Sequence, residues 1–313
     1  MTDLNLLHDS VVTAAEIDSL GHLNVRFYVR RVAEASRILL QQHGIELQPG
    51  QSLRRVDTYN RFHREQFEGA PLHTLGGFIA SESGNAINAY FEIRNPESDV
   101  VAATFIVTNQ IVDDDDQPIP DTQAVQSVLQ NAPIITVPEY GAPRSLSLKP
   151  PSIVTMAEID QAVGDTPPGM MSGRRENAVH AEHCNSQGRL RDDMDLMAVL
   201  HPLDAAKKQD EKMGPPIMRD AQGRRFSWAM LETRSVMWHR PMLGDQLLSI
   251  GADIASAEKW RQSRRWMFVK DTGLLLGVSD SLGICIDLDA RKAITIPEDV
   301  REEIDQNSLP QFA

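Results

Sequence analysis

The residues with the clearest chemical potential stand together near the N-terminus: Asp18, Gly21, His22 and Asn24, in a turn that leads into a long amphipathic stretch. A helix N-terminus presents unpaired N–H groups and a partial positive charge, so it suits an oxygen that becomes negative during a reaction. Gly21 lets a substrate come close to the backbone. Asp18, three residues earlier, is placed to act as a nucleophile or as a general base toward water. His22 and Asn24 add donors and acceptors that could fix the loop or the substrate. Together these residue types suit attack on an acyl carbonyl. The same spacing is also that of a capping turn, in which Asp18 or Asn24 only accepts from backbone N–H groups.

The elements that must hold this turn are legible around it. A helix is predicted over 25–42, where Phe27, Tyr28, Val32, Ala35, Ile38 and Leu39 recur at helical spacing and Gly44 follows as a stop. A short strand is predicted at 8–13, and β-rich runs at 56–62, 72–80, 86–93 and 100–107. The order then recurs. Asp18, Gly21 and Leu23 correspond to Asn185, Gly188 and Leu190 at a constant offset of 167 residues. His63-Arg64 returns as His239-Arg240 at an offset of 176, and Ile119-Pro120 as Ile296-Pro297 at 177, each of the latter opening a short terminal helix. Three echoes in one order indicate two copies of one domain. The reading is a first copy over 1–137, a Pro- and Gly-rich linker with a short helix over 138–174, and a second copy over 175–313. Thr155 and Glu158 form a capping-box pattern within that linker. The second copy carries strand patterns at 227–238, 247–255, 263–270 and 274–286, and a helix from Asp192 to about Lys207 that Pro202 should kink or end. Strands with helices on one face place the chain in the α+β class.

Composition removes several function classes. Of 313 residues 41% are hydrophobic, enough for a real core, and the net charge of -13 opposes non-specific nucleic-acid binding. Cys184 and Cys285, the two cysteines, build no disulfide framework and read as buried reduced thiols. The N-terminus lacks a signal-peptide pattern and no apolar run has membrane-spanning length, so a cytoplasmic chain with no membrane partner is expected. No glycine-rich nucleotide motif, Gly-x-Ser-x-Gly elbow or zinc-ligand spacing is present, and Asp113 to Asp116 reads as a solvated turn.

The pattern Asp18-x-x-Gly21-His22-x-Asn24-x-x-x-Tyr28, before a long helix and a run of strands, resembles the 4-hydroxybenzoyl-CoA thioesterase-like family of the hotdog superfamily. With its repeat, the chain is similar to a double-hotdog thioesterase over about 6–122 and 175–300, although the specific motif lies only in the first copy. The resemblance implies a tandem hotdog fold, with antiparallel sheets each wrapped around a long central helix and the halves paired by a pseudo-two-fold. It gives the catalytic role to Asp18, the oxyanion role to the Gly21 and His22 region, and supporting roles to Asn24 and Tyr28. It implies no cofactor, a substrate carried on CoA or acyl carrier protein, and further pairing of chains into a homo-oligomer. The second copy departs from the motif with Asn185, Arg189, Arg191 and Asp195 around the retained Gly188. An asparagine cannot be an anionic base, so that site should be inactive, its arginines binding an anion, stabilising the pairing, or simply solvated. Glu232, Trp238 and His239 are candidates to complete the Asp18 pocket from the second copy. Arginines 54, 55, 61 and 64, or 174, 175, 261, 264 and 265, are candidates to hold carrier phosphates. The expected function is thioester hydrolysis, against a hotdog enoyl-thioester hydratase or dehydratase, or a non-catalytic acyl-thioester binding protein.

Overall fold

The computed structural model describes residues 4–80, 86–119, 126, 130–164, 173–200 and 217–313. The first copy runs β1 (Asn5–Val11), α1 (Val25–Gln42), β2 (Ser52–Phe62), β3 (Pro71–Phe78), β4 (Ile87–Asn95) and β5 (Val100–Val112). A short helix, α2 (Met156–Val163), precedes the second copy. There β6 (Gly173–Ala178) is followed by α3 (Leu196–Leu200), β7 (Met218–Arg219), β8 (Arg225–Met237), β9 (Gln246–Ser256), β10 (Trp260–Val269), β11 (Leu275–Asp287), β12 (Lys292–Ala293) and α4 (Glu298–Gln306). All strand pairings among these are antiparallel. The order along the sheet is β1-β3-β4-β5-β2-β8-β11-β10-β9-β6, with β7 beside β8 and β12 beside β11. Each half uses the same relative order, and the halves meet edge to edge through β2 and β8. Two sheets were expected; they are joined into one.

α1 forms where its apolar spacing places it. Asn24 caps it by accepting from the Arg26 N–H at 3.2 Å, and Phe27, Val32, Ala35 and Leu39 turn a buried face to the sheet. They meet Phe91, Ile93 and Phe105 in one core, each such side chain worth about 1.5–3 kcal/mol on burial. The second copy breaks the expected helix. Asp195 caps the Ala198 N–H at 2.7 Å, so α3 starts at Leu196 rather than Asp192. Residues 192–193 are drawn out of helical geometry, because Asp192 accepts two hydrogen bonds from Arg37 and Asp193 two from Arg191. The remainder of that predicted helix, with Pro202, lies outside the described residues, as does most of the predicted terminal helix after Pro120.

The β2–β8 register carries the duplication. Asp57 faces Val236 and Asn60 faces Thr233. Shifting either pair by the 176-residue offset of the repeat generates the other, as a pseudo-two-fold axis requires. Side chains then lock the junction. Arg234 grips Asp57 through two hydrogen bonds of 3.1 and 2.6 Å, and Arg240 Nε donates to Asp116 Oδ1 at 2.7 Å. Arg54 Nη1 lies 3.1 Å from Asp116 Oδ2. Asp116 is therefore a buried anion between the copies, whereas Asp114 and Asp115 beside it are exposed. The solvated reading of this turn fails at Asp116 because two guanidinium groups need a counter-charge there.

Removing that charge leaves both arginines with neutral partners alone, Arg54 with Gln110 and Arg240 with Ser52 among them. Asp116→Asn is expected to cost about 3–5 kcal/mol, the usual penalty for breaking a buried ion pair from one side, read as a lower midpoint in urea unfolding.

Candidate active site

The Asp18 loop is built from its ends inward. Glu16 accepts from the Arg31 guanidinium at 2.9 and 3.0 Å and from the Thr13 N–H at 2.8 Å, which ties the loop to α1. The Asp18 N–H donates to the His22 carbonyl at 2.9 Å, and the Gly21 N–H returns to the Asp18 carbonyl at 3.1 Å. This closure needs Gly21 at φ +88°, a left-handed value that glycine adopts without strain. Within it, Asp18 Oδ1 accepts from the Leu20 N–H at 2.8 Å and the His22 N–H at 3.4 Å.

Asp18 Oδ2 faces the imidazole, 3.4 Å from His22 Nδ1. On the other side of the ring, His22 Nε2 lies 3.2 Å from Glu65 Oε1, outside hydrogen-bond geometry. Arg291, from the second copy, reaches the second oxygen of Glu65 at 3.2 Å. Asp18 is only 6% exposed. Burial raises its pKa above the ordinary 3.8, while His22 and the two backbone N–H groups oppose the rise and Glu65 adds to it. Tyr28 packs behind the loop, edge-on to Phe62 at 5.8 Å, and burial raises its phenol pKa. It is a core side chain within the electrostatic reach of Asp18.

The second loop repeats the turn with a different side chain. Its Asn185 N–H donates to the Arg189 carbonyl at 2.8 Å, and Gly188 N–H to the Asn185 carbonyl at 3.0 Å. Asn185 Oδ1 accepts from the Gln187 and Arg189 N–H groups at 3.1 and 3.0 Å. Gly188 has φ +74°. One side-chain oxygen is thus sufficient for the turn. Of the arginines, Arg189 donates to the Asp114 carbonyl in the first copy, and Arg191 to Asp193 and the Glu182 carbonyl.

Several predicted groupings are not assembled. The Gly21 N–H is committed to its own turn, the His22 N–H to Asp18 Oδ1, and the Leu23 and Asn24 N–H groups to the Gln66 and Glu16 carbonyls, so none of these donors is open to an oxyanion. Glu232 is buried and accepts from Tyr59 and the Ser145 and Leu146 N–H groups, which fastens the 143–149 segment to the junction. Trp238 packs with the second-copy core, and His239 is exposed. The arginine clusters are dispersed by pairing: Arg54 with Asp116, Arg55 with the Asp192 carbonyl, Arg61 with the Ala142 carbonyl, Arg174 with Asp160 and Arg264 with Asp280. Arg261 lies over the Trp228 ring and Arg265 donates to Ser249. Cys285 is buried and Cys184 half-buried, both free. Among the described residues no group of His, Cys, Asp and Glu suits a metal ion, and no helix is long and apolar enough to cross a membrane.

Glu65 and Arg291 were missed by sequence reasoning. Glu65 directly follows the His63-Arg64 echo, the signal that could have found it. A cavity of about 60 Å³, lined by Val29, Arg55, Asn60 and Leu196 among others, lies between the copies, and a larger one of about 770 Å³ lies at the second loop. Asp18 lines neither.

Residues 12–134 match the family model of the thioesterase-like superfamily. The structure resembles a 12:0-ACP thioesterase from Umbellularia californica at TM-score 0.64 and 8% identity, over 89% of this chain and 93% of that one. It also resembles an acyl-ACP thioesterase from Bacteroides thetaiotaomicron VPI-5482 at TM-score 0.57 and 7% identity, over 88% and 96% of the two chains. These similarities show a shared tandem hotdog fold. No curated protein matches the sequence.

Asp18→Asn should keep the turn, since Asn185 makes it already, while removing a buried charge. A raised native pKa means the folded protein holds that proton more tightly than the unfolded chain, so stability falls as pH rises from 3.8 through the raised value. The variant is expected to match or exceed wild-type stability at neutral pH. Its advantage should shrink as the pH is lowered toward 3.8, as measured by urea midpoints at several pH values.

Proposed function

Starting from a tandem hotdog fold whose residues 12–134 match the thioesterase-like superfamily model, we propose that the chain hydrolyses acyl thioesters at the Asp18 loop. One observation carries this reading: two copies make the same turn, and only one of them holds it with a carboxylate. Asn185 meets the structural need, so the second oxygen of Asp18 is surplus to the fold and is kept at a desolvation cost. A surplus buried anion beside a helix N-terminus is what base or nucleophile chemistry uses.

In the step that fits, Asp18 Oδ2 takes a proton from water as the water oxygen bonds to the acyl carbon. The resulting oxyanion faces the positive end of α1. Collapse breaks the carbon–sulfur bond, and the proton passes to the departing thiolate. The alternative first step is attack by Oδ2 itself, giving an anhydride that water then opens. His22, set between Asp18 and Glu65, holds the imidazole against Oδ2 in either route. Tyr28 and Asn24 support the loop from the core and from the helix cap. The carrier is CoA or acyl carrier protein; the two structural neighbours named above are acyl-ACP thioesterases, so both carriers belong in the substrate panel.

A second reading, a binding protein without turnover, is favoured by the low exposure of Asp18 and the use of Oδ1 by its own turn. Thiol release from acyl-CoA and acyl-carrier substrates separates the two. Wild-type protein is expected to turn over, and Asp18→Asn to lose about 10²–10⁴-fold, the range general acid–base groups supply, with an unchanged circular dichroism spectrum. Wild-type-like turnover in the variant would remove Asp18 from the mechanism. Hydration of enoyl thioesters without thiol release would replace hydrolysis by the hydratase reading.

A further inference from the structure

The larger cavity, about 770 Å³, is bounded by the C-terminal part of α1 and the segment after it on one side, and by the second loop on the other. Leu40, Ile45, Leu47 and Leu53 give it an apolar wall. Its three arginines are each matched by a carboxylate: Arg37 by Asp192, Arg191 by Asp193 and Arg240 by Asp116. Such a lining leaves no free cation for a phosphate. It suits an uncharged amphipathic group, with a chain on the leucine side and a polar atom on the loop side.

Asn185 lines that loop side. Its orientation follows from the hydrogen bonds around it. Two N–H groups, of Gln187 and Arg189, converge on Oδ1, a position the amide nitrogen could not occupy without setting donors against donors. The Nδ2 amino group is thereby the one left for the cavity. Where the first copy presents a negative oxygen at the corresponding position, the second presents an N–H donor. A carbonyl can be held by that donor, and a water molecule cannot be deprotonated by it.

We propose that this cavity is a second acyl-thioester site, which binds the acyl chain along the leucine wall and its carbonyl at Asn185 Nδ2 and does not hydrolyse it. The inference rests on the thioesterase reading for the identity of the ligand class. It differs from that reading in assigning a binding role to the loop that lacks the carboxylate.

The test is calorimetric titration of the whole chain with the ketone analogue of dodecanoyl-CoA, in which a methylene between sulfur and carbonyl blocks hydrolysis. Wild-type protein is expected to bind two molecules per chain. Asn185→Asp keeps the turn oxygen but replaces the donor with an anion, and should bind one. Leu47→Glu places a charge on the apolar wall at a residue already 39% exposed, where folding is tolerant, and should also bind one. A single site in the wild type, or two sites that survive both substitutions, overturns the inference. Turnover of dodecanoyl-CoA by the same preparation separates the two claims. Hydrolysis with one analogue bound per chain removes the second site alone, whereas neither hydrolysis nor binding removes the thioesterase reading with it.

Discussion

The pairing of β2 with β8 is the interaction on which the rest of the molecule depends. It turns two five-stranded arrangements into one continuous sheet, in which the segment after the second loop meets α1 of the first copy through Asp192 and Arg37. Backbone hydrogen bonds alone would leave the register free to slip, and a one-residue slip would reverse every side chain. Arg234 on Asp57 and Arg240 on Asp116 fix it instead, since in this alignment each second-copy guanidinium meets a first-copy carboxylate. The cavities between the copies exist because that alignment holds.

Much of the fold was legible in the sequence, for physical reasons that differ by element. α1 spans 25–42 as its periodicity requires, because an apolar stripe with an Asn cap has few other ways to be satisfied. The repeat offsets marked a duplicated domain, and the family resemblance implied the pseudo-two-fold that the Asp57–Val236 and Asn60–Thr233 pairings carry. The second helix was misplaced at its start, since its apolar pattern does not show that Asp192 and Asp193 are held by arginines distant in sequence. The joining of the sheets was likewise invisible, because strand patterns carry no information on which edges meet.

The site divides along similar lines. The Asp18 turn was readable from Asp, Gly and Asn at fixed spacing, all of them local effects. The role of Glu65 beyond His22, and of Arg291 beyond Glu65, is long-range and left only the faint trace of the His63-Arg64 echo. Arginine clusters in sequence proved a poor guide to anion sites. In a chain of net charge -13 nearby carboxylates are abundant, and arginines 54, 174 and 264 are each neutralised by one.

Covalent linkage of the two copies has a genetic consequence. When identical subunits assemble around a true symmetry axis, any mutation alters every equivalent position at once, and losing an acid in one loop means losing it in all. Here positions 18 and 185 are encoded separately, so one can change while the other keeps its residue. Fusion thereby releases half of an ancestral pair to drift toward a different task without extinguishing the first.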